Sequence, residues 1–242
     1  EQFALPRTQS HVDWLRAQGV EVFDNRFSSH QIDYTLWRKF LSSPDQLRQR
    51  MVYALSQIFV VSTDAIDGYW PQFSLASYVD MLETHAFGNF RNLLEAVTLS
   101  PAMGDYLSMR GSRKADAQGR QPDENYAREV MQLFTIGLVQ LNADGTPRLT
   151  NGRTTDTYVQ ADVTGLSRVF TGWDRVPAGS EIEQSAQQLL NPLVNTASRH
   201  ESGSKVFLDT TIAAGTSAAD SLRTALDALF NHANVGPHIG RQ

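Results

Sequence analysis

Ser43-Pro44-Asp45-Gln46-Leu47-Arg48-Gln49-Arg50-Met51-Val52-Tyr53-Ala54-Leu55-Ser56-Gln57-Ile58-Phe59 is the stretch that decides the fold class. Ser43 is a good N-cap and Pro44 suits a first turn. Asp45 suits the positive helix end, and Gln46 stands three residues after the cap. Leu47, Met51, Ala54, Leu55, Ile58 and Phe59 then recur at helical spacing. That spacing predicts a helix with this stripe buried.

The same period extends in both directions. Ser10 can cap a short helix carrying Val12, Trp14 and Leu15. A helix over 30–41 would hold Ile32, Leu36, Trp37 and Phe40 on one stripe. Further helices are predicted over 73–83, 89–99, 102–109 and 123–138. Thr157-Tyr158-Val159-Gln160 reads as a capping box for a helix with Val159, Val163, Leu166, Phe170 and Trp173. Ser217 to Asp220 caps a last full helix with Leu222, Ala225, Leu226, Leu229 and Phe230 on its core face. Strand signals are few: turn pairs Asp144-Gly145 and Asn151-Gly152, and strand character over 205–212. The expected fold class is mainly α, a single large multi-helix domain over 1–242. Its N-terminal helices fill 1–42 and the remainder 43–242, with a small β-hairpin or short strands around 140–158 and 205–212. Asn234-Val235-Gly236-Pro237 resembles a helix start, yet the sequence stops at Gln242 after barely a turn. So short a helix is unstable alone, and the native chain is expected to continue.

Composition narrows the chemistry. The 242 residues carry 21 Lys+Arg against 26 Asp+Glu, a net charge of -5, and no Cys. Without Cys there is no disulfide framework, thiolate zinc site, iron–sulfur cluster or Cys nucleophile. The acidic balance argues against a dedicated nucleic-acid binder. No apolar run approaches the roughly 20 residues of a transmembrane segment, and no charged n-region with an apolar h-region is seen, so any signal peptide is already gone or never existed.

Three segments could carry chemistry. In 123–129, Glu124 and Arg128 are spaced as an exposed i,i+4 pair, with Tyr126 on the apolar stripe. Glu129 falls at the edge of that stripe, where partial burial would raise its pKa unless a cation holds the charged form. It could serve as a general acid, a base or ligand, or a structural ion pair with Arg128 or Arg168. In the second segment Asp162 sits in a first helical turn, followed by Arg168 and Trp173. Helix-end electrostatics and a core Trp compete there with a site. The third, Arg199-His200-Glu201-Ser202-Gly203-Ser204-Lys205, gathers His200, Glu201 and Lys205 in an irregular stretch. A base, a metal ligand and a solvated loop are all open readings. No metal, phosphate-loop or nucleophile-elbow motif is present, so no cofactor is indicated.

The stretch Asp123-Glu124-Asn125-Tyr126-Ala127-Arg128-Glu129-Val130-Met131-Gln132-Leu133-Phe134-Thr135-Ile136-Gly137 resembles the signature of a bacterial family called domain of unknown function 1800. Blocks over 47–62, 87–107, 158–173, 200–205 and 229–237 resemble it in the same order, so the likeness spans roughly 45–242. Ser100 departs from the family, where many members carry a His. The resemblance implies a larger, exported protein, periplasmic or extracellular, with a possible sulfatase-like partner that is also exported. It implies no biochemical activity.

Three functional readings follow. The first is a carboxylate-based hydrolase of an envelope or extracellular polymer, built on Glu124, Arg128, Glu129, Asp162, His200 and Glu201. Tyr126, Arg168, Trp173 and Lys205 would then meet the substrate. The second is a non-catalytic binding or scaffold module for an exported partner, marked by a large exposed apolar patch. The third is a metal- or cofactor-binding helical protein.

Overall fold

The computed structural model describes residues 1–66, 68–176 and 183–242. Helices dominate, with a few short antiparallel strand pairs. The chain forms two compact units, Glu1–Tyr106 with Arg175–Val194, and Leu107–Asp174 with Asn195–Gln242.

The first unit holds α1 (His11–Ala17), α2 (Gln31–Ser42), α3 (Gln46–Ile58), α4 (Pro71–His85), α5 (Phe90–Thr98) and α6 (Pro101–Tyr106). The expected cap is in place for α1, and α5 has one at Asn89. Ser10 Oγ accepts from Asp13 N at 2.9 Å, and Asn89 Oδ1 accepts from Arg91 N at 2.8 Å. Helix α4 runs through the middle and is buried on most sides. Val12, Leu15, Ile32, Trp70, Phe73 and Ala76 form the core around it.

Two expectations are corrected in this unit. Helix α3 begins at Gln46 because the Ser43 hydroxyl donates to the Asp45 carboxylate and does not cap. The Gln46 amide instead donates to the carbonyls of Ser43 at 2.8 Å and Lys39 at 3.0 Å. The second correction is that each expected stripe is only partly buried: Ile32 and Phe59 are in the core and Leu36, Phe40, Leu47, Leu55 and Ile58 are half-buried, while Trp37, Met51 and Ala54 are exposed. Helix α2 buries Gln31, Ile32, Thr35 and Lys39, while Tyr34, Trp37 and Leu41 face solvent. Helix α3 buries Gln49 and Val52, while Met51 and Ala54 are exposed. At 100° per residue the exposed and buried sets lie on opposite sides of each helix.

The second unit holds α7 (Asn125–Gln132), the hairpin β1 (Leu149–Thr150) and β2 (Arg153–Thr154), and α8 (Gln160–Ser167). Strands β3 (Trp173–Asp174) and β4 (Val194–Asn195) stand where the chain leaves and re-enters this unit. A second hairpin, β5 (Lys205–Phe207) and β6 (Thr210–Ile212), precedes α9 (Ala218–Phe230) and α10 (Val235–Arg241). The first hairpin lies where its turn chemistry placed it, with Asn151 and Gly152 at φ of 53° and 76°, and the second where the strand character of 205–212 did. Helix α7 is shorter than expected. The backbone turns after it, with Ile136 N and Gly137 N both donating to Met131 O at 2.9 Å and Gly137 at φ 69°. Thr157 does not cap α8, since its hydroxyl donates to the Gly137 carbonyl. The Asp162 carboxylate accepts from Val159 N at 2.8 Å and closes the helix start instead. Val159 is exposed, so the apolar face of α8 begins at Val163.

Candidate functional site

The expected segments of the second unit meet around α8. Glu124 accepts from Thr164 Oγ1 at 2.7 Å and Gln160 Nε2 at 2.8 Å, and pairs with Arg128 at 3.4 Å. Asp162 uses its second oxygen on Leu208 N at 2.8 Å, which pins the β5–β6 turn where Leu208 takes φ 45°. Arg168 reaches the Ser204 carbonyl at 3.4 Å. Asp162 and Arg168 line an open groove of about 440 Å³ along α8, with Gln160, Thr164, Ser204 and Val206. The other expected residues are not among its lining.

Those others are placed as follows. Tyr126 is buried edge-on to Phe170, with ring centroids 4.9 Å apart. Trp173 is buried and its Nε1 donates to Val169 O at 3.4 Å. His200 is buried with Nδ1 2.9 Å from the Thr171 carbonyl, and burial pushes its pKa below the ordinary range. Glu201 accepts from Gly203 N at 2.8 Å. Lys205 is fully buried; burial pushes its ammonium down while Glu201 opposes that shift. Glu129 is half-buried, its carboxyl raised by burial against the pull of Arg128. Thus Glu124, Asp162 and Glu201 are spent on internal hydrogen bonds, and Glu129 makes none from its side chain among the described residues.

The first unit contains a centre that the sequence reasoning missed. Lys39 Nζ lies 2.6 Å and 2.8 Å from the two oxygens of Glu83, and both side chains are fully buried. Gln49 Nε2 donates to Glu83 Oε1 at 3.1 Å, and His11 Nε2 lies 3.2 Å from it. Asp80 accepts from the amides of His11 and Val12 at 2.8 Å and 3.0 Å, which holds the start of α1. Burial would raise the Glu83 carboxyl, but His11 and Lys39 outweigh it and hold the pKa at about 2. Burial wins at Asp80, whose pKa is raised. The available signal was Asp80 and Glu83, the two carboxylates of α4, three apart on a helix that is buried on most sides.

His11, Asp80 and Glu83 offer donor atoms within 4.8 Å of one another, a metal-like spacing. The Lys39 ammonium, however, already takes both Glu83 oxygens. Arg7, Lys39 and Arg48 balance Asp45, Asp80 and Glu83 before His11 is counted. A dication would have to displace Lys39 and upset that balance. The cluster fits an internal ion network better than a metal centre.

The network explains why α2 and α3 turn Lys39 and Gln49 inward, onto Glu83, and leave part of their apolar residues outside. On the outside, Trp37 is 63% and Leu41 79% exposed. Trp37 packs edge-on against Phe40 at 6.4 Å, and Phe40 against Tyr53 at 6.0 Å. Phe40 and Tyr53 also line an apolar groove of about 310 Å³ with Leu36, Val60, Leu75 and Val79. No helix among the described residues is long and apolar enough to cross a membrane.

These features define a mainly helical protein with a buried ionic centre and an outward aromatic face. The chain belongs to the family described as "Protein of unknown function (DUF1800)", whose model matches residues 7–242. That match reaches further toward the N-terminus than the likeness seen from residue 45 onward. No curated protein and no solved structure matches the chain.

Proposed function

We propose that the chain is a non-catalytic helical scaffold whose outward α2–α3 face docks a protein. The observation that carries this reading is the solvated aromatic side of α2, with Lys39 1% exposed and Trp37 63% exposed on opposite sides of one helix. Large solvated aromatics are costly to leave wet, and Trp and Tyr are the residues that anchor interfaces. The exposed charges on α2 and α3 are Asp33 and Arg50, one of each sign. A face of that kind is neutral and suits a second copy of itself across a two-fold axis. The exported location implied by the family resemblance, and a sulfatase-like neighbour as a further partner, belong to the same proposal. Sedimentation of the wild type against the triple variant Tyr34→Ser, Trp37→Ser, Leu41→Ser tests it. A dimer lost in the variant supports docking, and a wild type that stays monomeric at high micromolar concentration contradicts it.

One observation favours the hydrolase reading instead. Glu129 is a half-buried acid with its carboxyl raised, beside the Arg128 cation. That suits a general acid on an envelope polymer. Glu129→Gln would then abolish polymer cleavage while leaving the unfolding midpoint unchanged; loss of stability without any change in cleavage would assign Glu129 to architecture.

A further inference from the structure

A second concavity of the first unit is different in kind. It measures about 570 Å³ and opens between α4, α5, the start of α6 and residues 190–192. Its wall carries apolar side chains, Met81, Leu99, Pro101, Leu190 and Pro192, interleaved with the polar His85, Asn92, Glu95, Ser100 and Asn191. We propose that this cavity binds a neutral, hydroxyl-bearing ligand of one or two sugar rings.

Size is the first reason, since small-ligand sites run about 300–1,000 Å³ and combine apolar walls with a few polar groups. The second is unspent hydrogen-bonding capacity. The side chains of His85, Asn92 and Ser100 make no hydrogen bond to other described residues. Asn191 donates to Gln187 O at 3.2 Å and keeps its own carbonyl oxygen free. The third is sign. Glu95 is the charged side chain of the lining, and it pairs at 2.7 Å with Arg91, which is not part of the lining. A carboxylate or phosphate would face Glu95 with no lining cation to meet it. An ammonium ion would leave the donors of Asn92 and Ser100 unanswered. A hydroxyl both donates and accepts, so it can serve Glu95, Asn92, Ser100 and Asn191 alike. His85 fits the same pattern, because burial and the Arg7 charge pull its pKa down and leave it neutral, one nitrogen donating and one accepting. The carbon-bound hydrogens of a sugar ring match the Met, Leu and Pro side chains.

The site is independent of the docking face, and its test is separate. Saturation-transfer NMR on the purified protein uses methyl glucoside, cellobiose and N-acetylglucosamine, with acetate, phosphate and ethylammonium as charged probes, each at millimolar concentration. At least one sugar should bind, and the charged probes should not. Asn92→Ala, at an exposed position, should weaken the sugar at least five-fold. Ser100→Phe, which fills the cavity, should abolish binding. Circular dichroism checks that both variants fold, and Asn92→Ala alone decides if Ser100→Phe does not. Failure of all three sugars, tighter binding of a charged probe, or sugar binding untouched by Asn92→Ala overturns the proposal.

Discussion

Helices α2 and α9 are both amphipathic, yet α2 buries polar side chains beside Ile32 where α9 buries mostly apolar ones. Helix α9 turns Leu222, Ala225, Leu226 and Leu229 inward and leaves Arg223 exposed. Helix α2 turns Thr35 and Lys39 inward and leaves Tyr34, Trp37 and Leu41 out. The difference lies in what each helix meets. Helix α9 packs beside β6 and buries three leucines and an alanine, so area burial sets its orientation. Helix α2 meets Glu83, a buried carboxylate that must be paired, and an unpaired buried charge costs more than several exposed aromatics. Helical period reveals that a stripe exists, while the partner decides which side goes in.

The largest effect should come from breaking that pair. Lys39→Met leaves Glu83 buried and uncompensated, and should cost about 3–5 kcal/mol in urea unfolding. Adding Glu83→Leu should recover most of the loss, since the two act as a unit. Removing the exposed Arg223 from α9 should change stability by less than about 0.5 kcal/mol.

The pH dependence sharpens the same contrast. The Glu83 pKa is depressed to about 2 from an ordinary 4.5. Its stabilisation is therefore fully present above pH 4.5 and lost as pH falls toward 2. The loss should be on the order of 3 kcal/mol, read from unfolding free energies across that window. Lys39→Met should flatten the profile between those limits.

The second unit depends on close contact more than on buried charge. A Cβ on Gly165 of α8 would collide with the Val206 carbonyl of β5. Gly165→Ala should cost about 1–3 kcal/mol by thermal unfolding, with little change in its pH dependence. The smallest stability effect belongs to the outward face. Trp37→Ser should shift stability by no more than about 0.5 kcal/mol, because its ring is largely solvated already.

Much of the helix order was legible from local chemistry. Ser10 and Ser217 cap as their positions promise, and Asn151-Gly152 turns its hairpin. Ser43 and Thr157 did not cap because their hydroxyls found longer-range uses, on Asp45 and on the Gly137 carbonyl. The Glu124–Arg128 pair was readable because its partners are four residues apart. The Lys39–Glu83 pair was not, because 44 residues separate its members. The inward turn of Lys39 and Gln49 was hidden for the same reason.

If the outward side of α2 and α3 docks a second copy, Trp37 reports on it directly. It is the most exposed of the tryptophans, with Trp70 and Trp173 buried and Trp14 partly so. Acrylamide quenching of tryptophan emission, measured from 1 to about 200 µM protein alongside sedimentation equilibrium, follows its burial on self-association. The account predicts that quenching falls as a dimer forms, and that Leu41→Ser prevents both changes while the unfolding midpoint stays put. Quenching that is independent of concentration, with a monomer throughout, would contradict it.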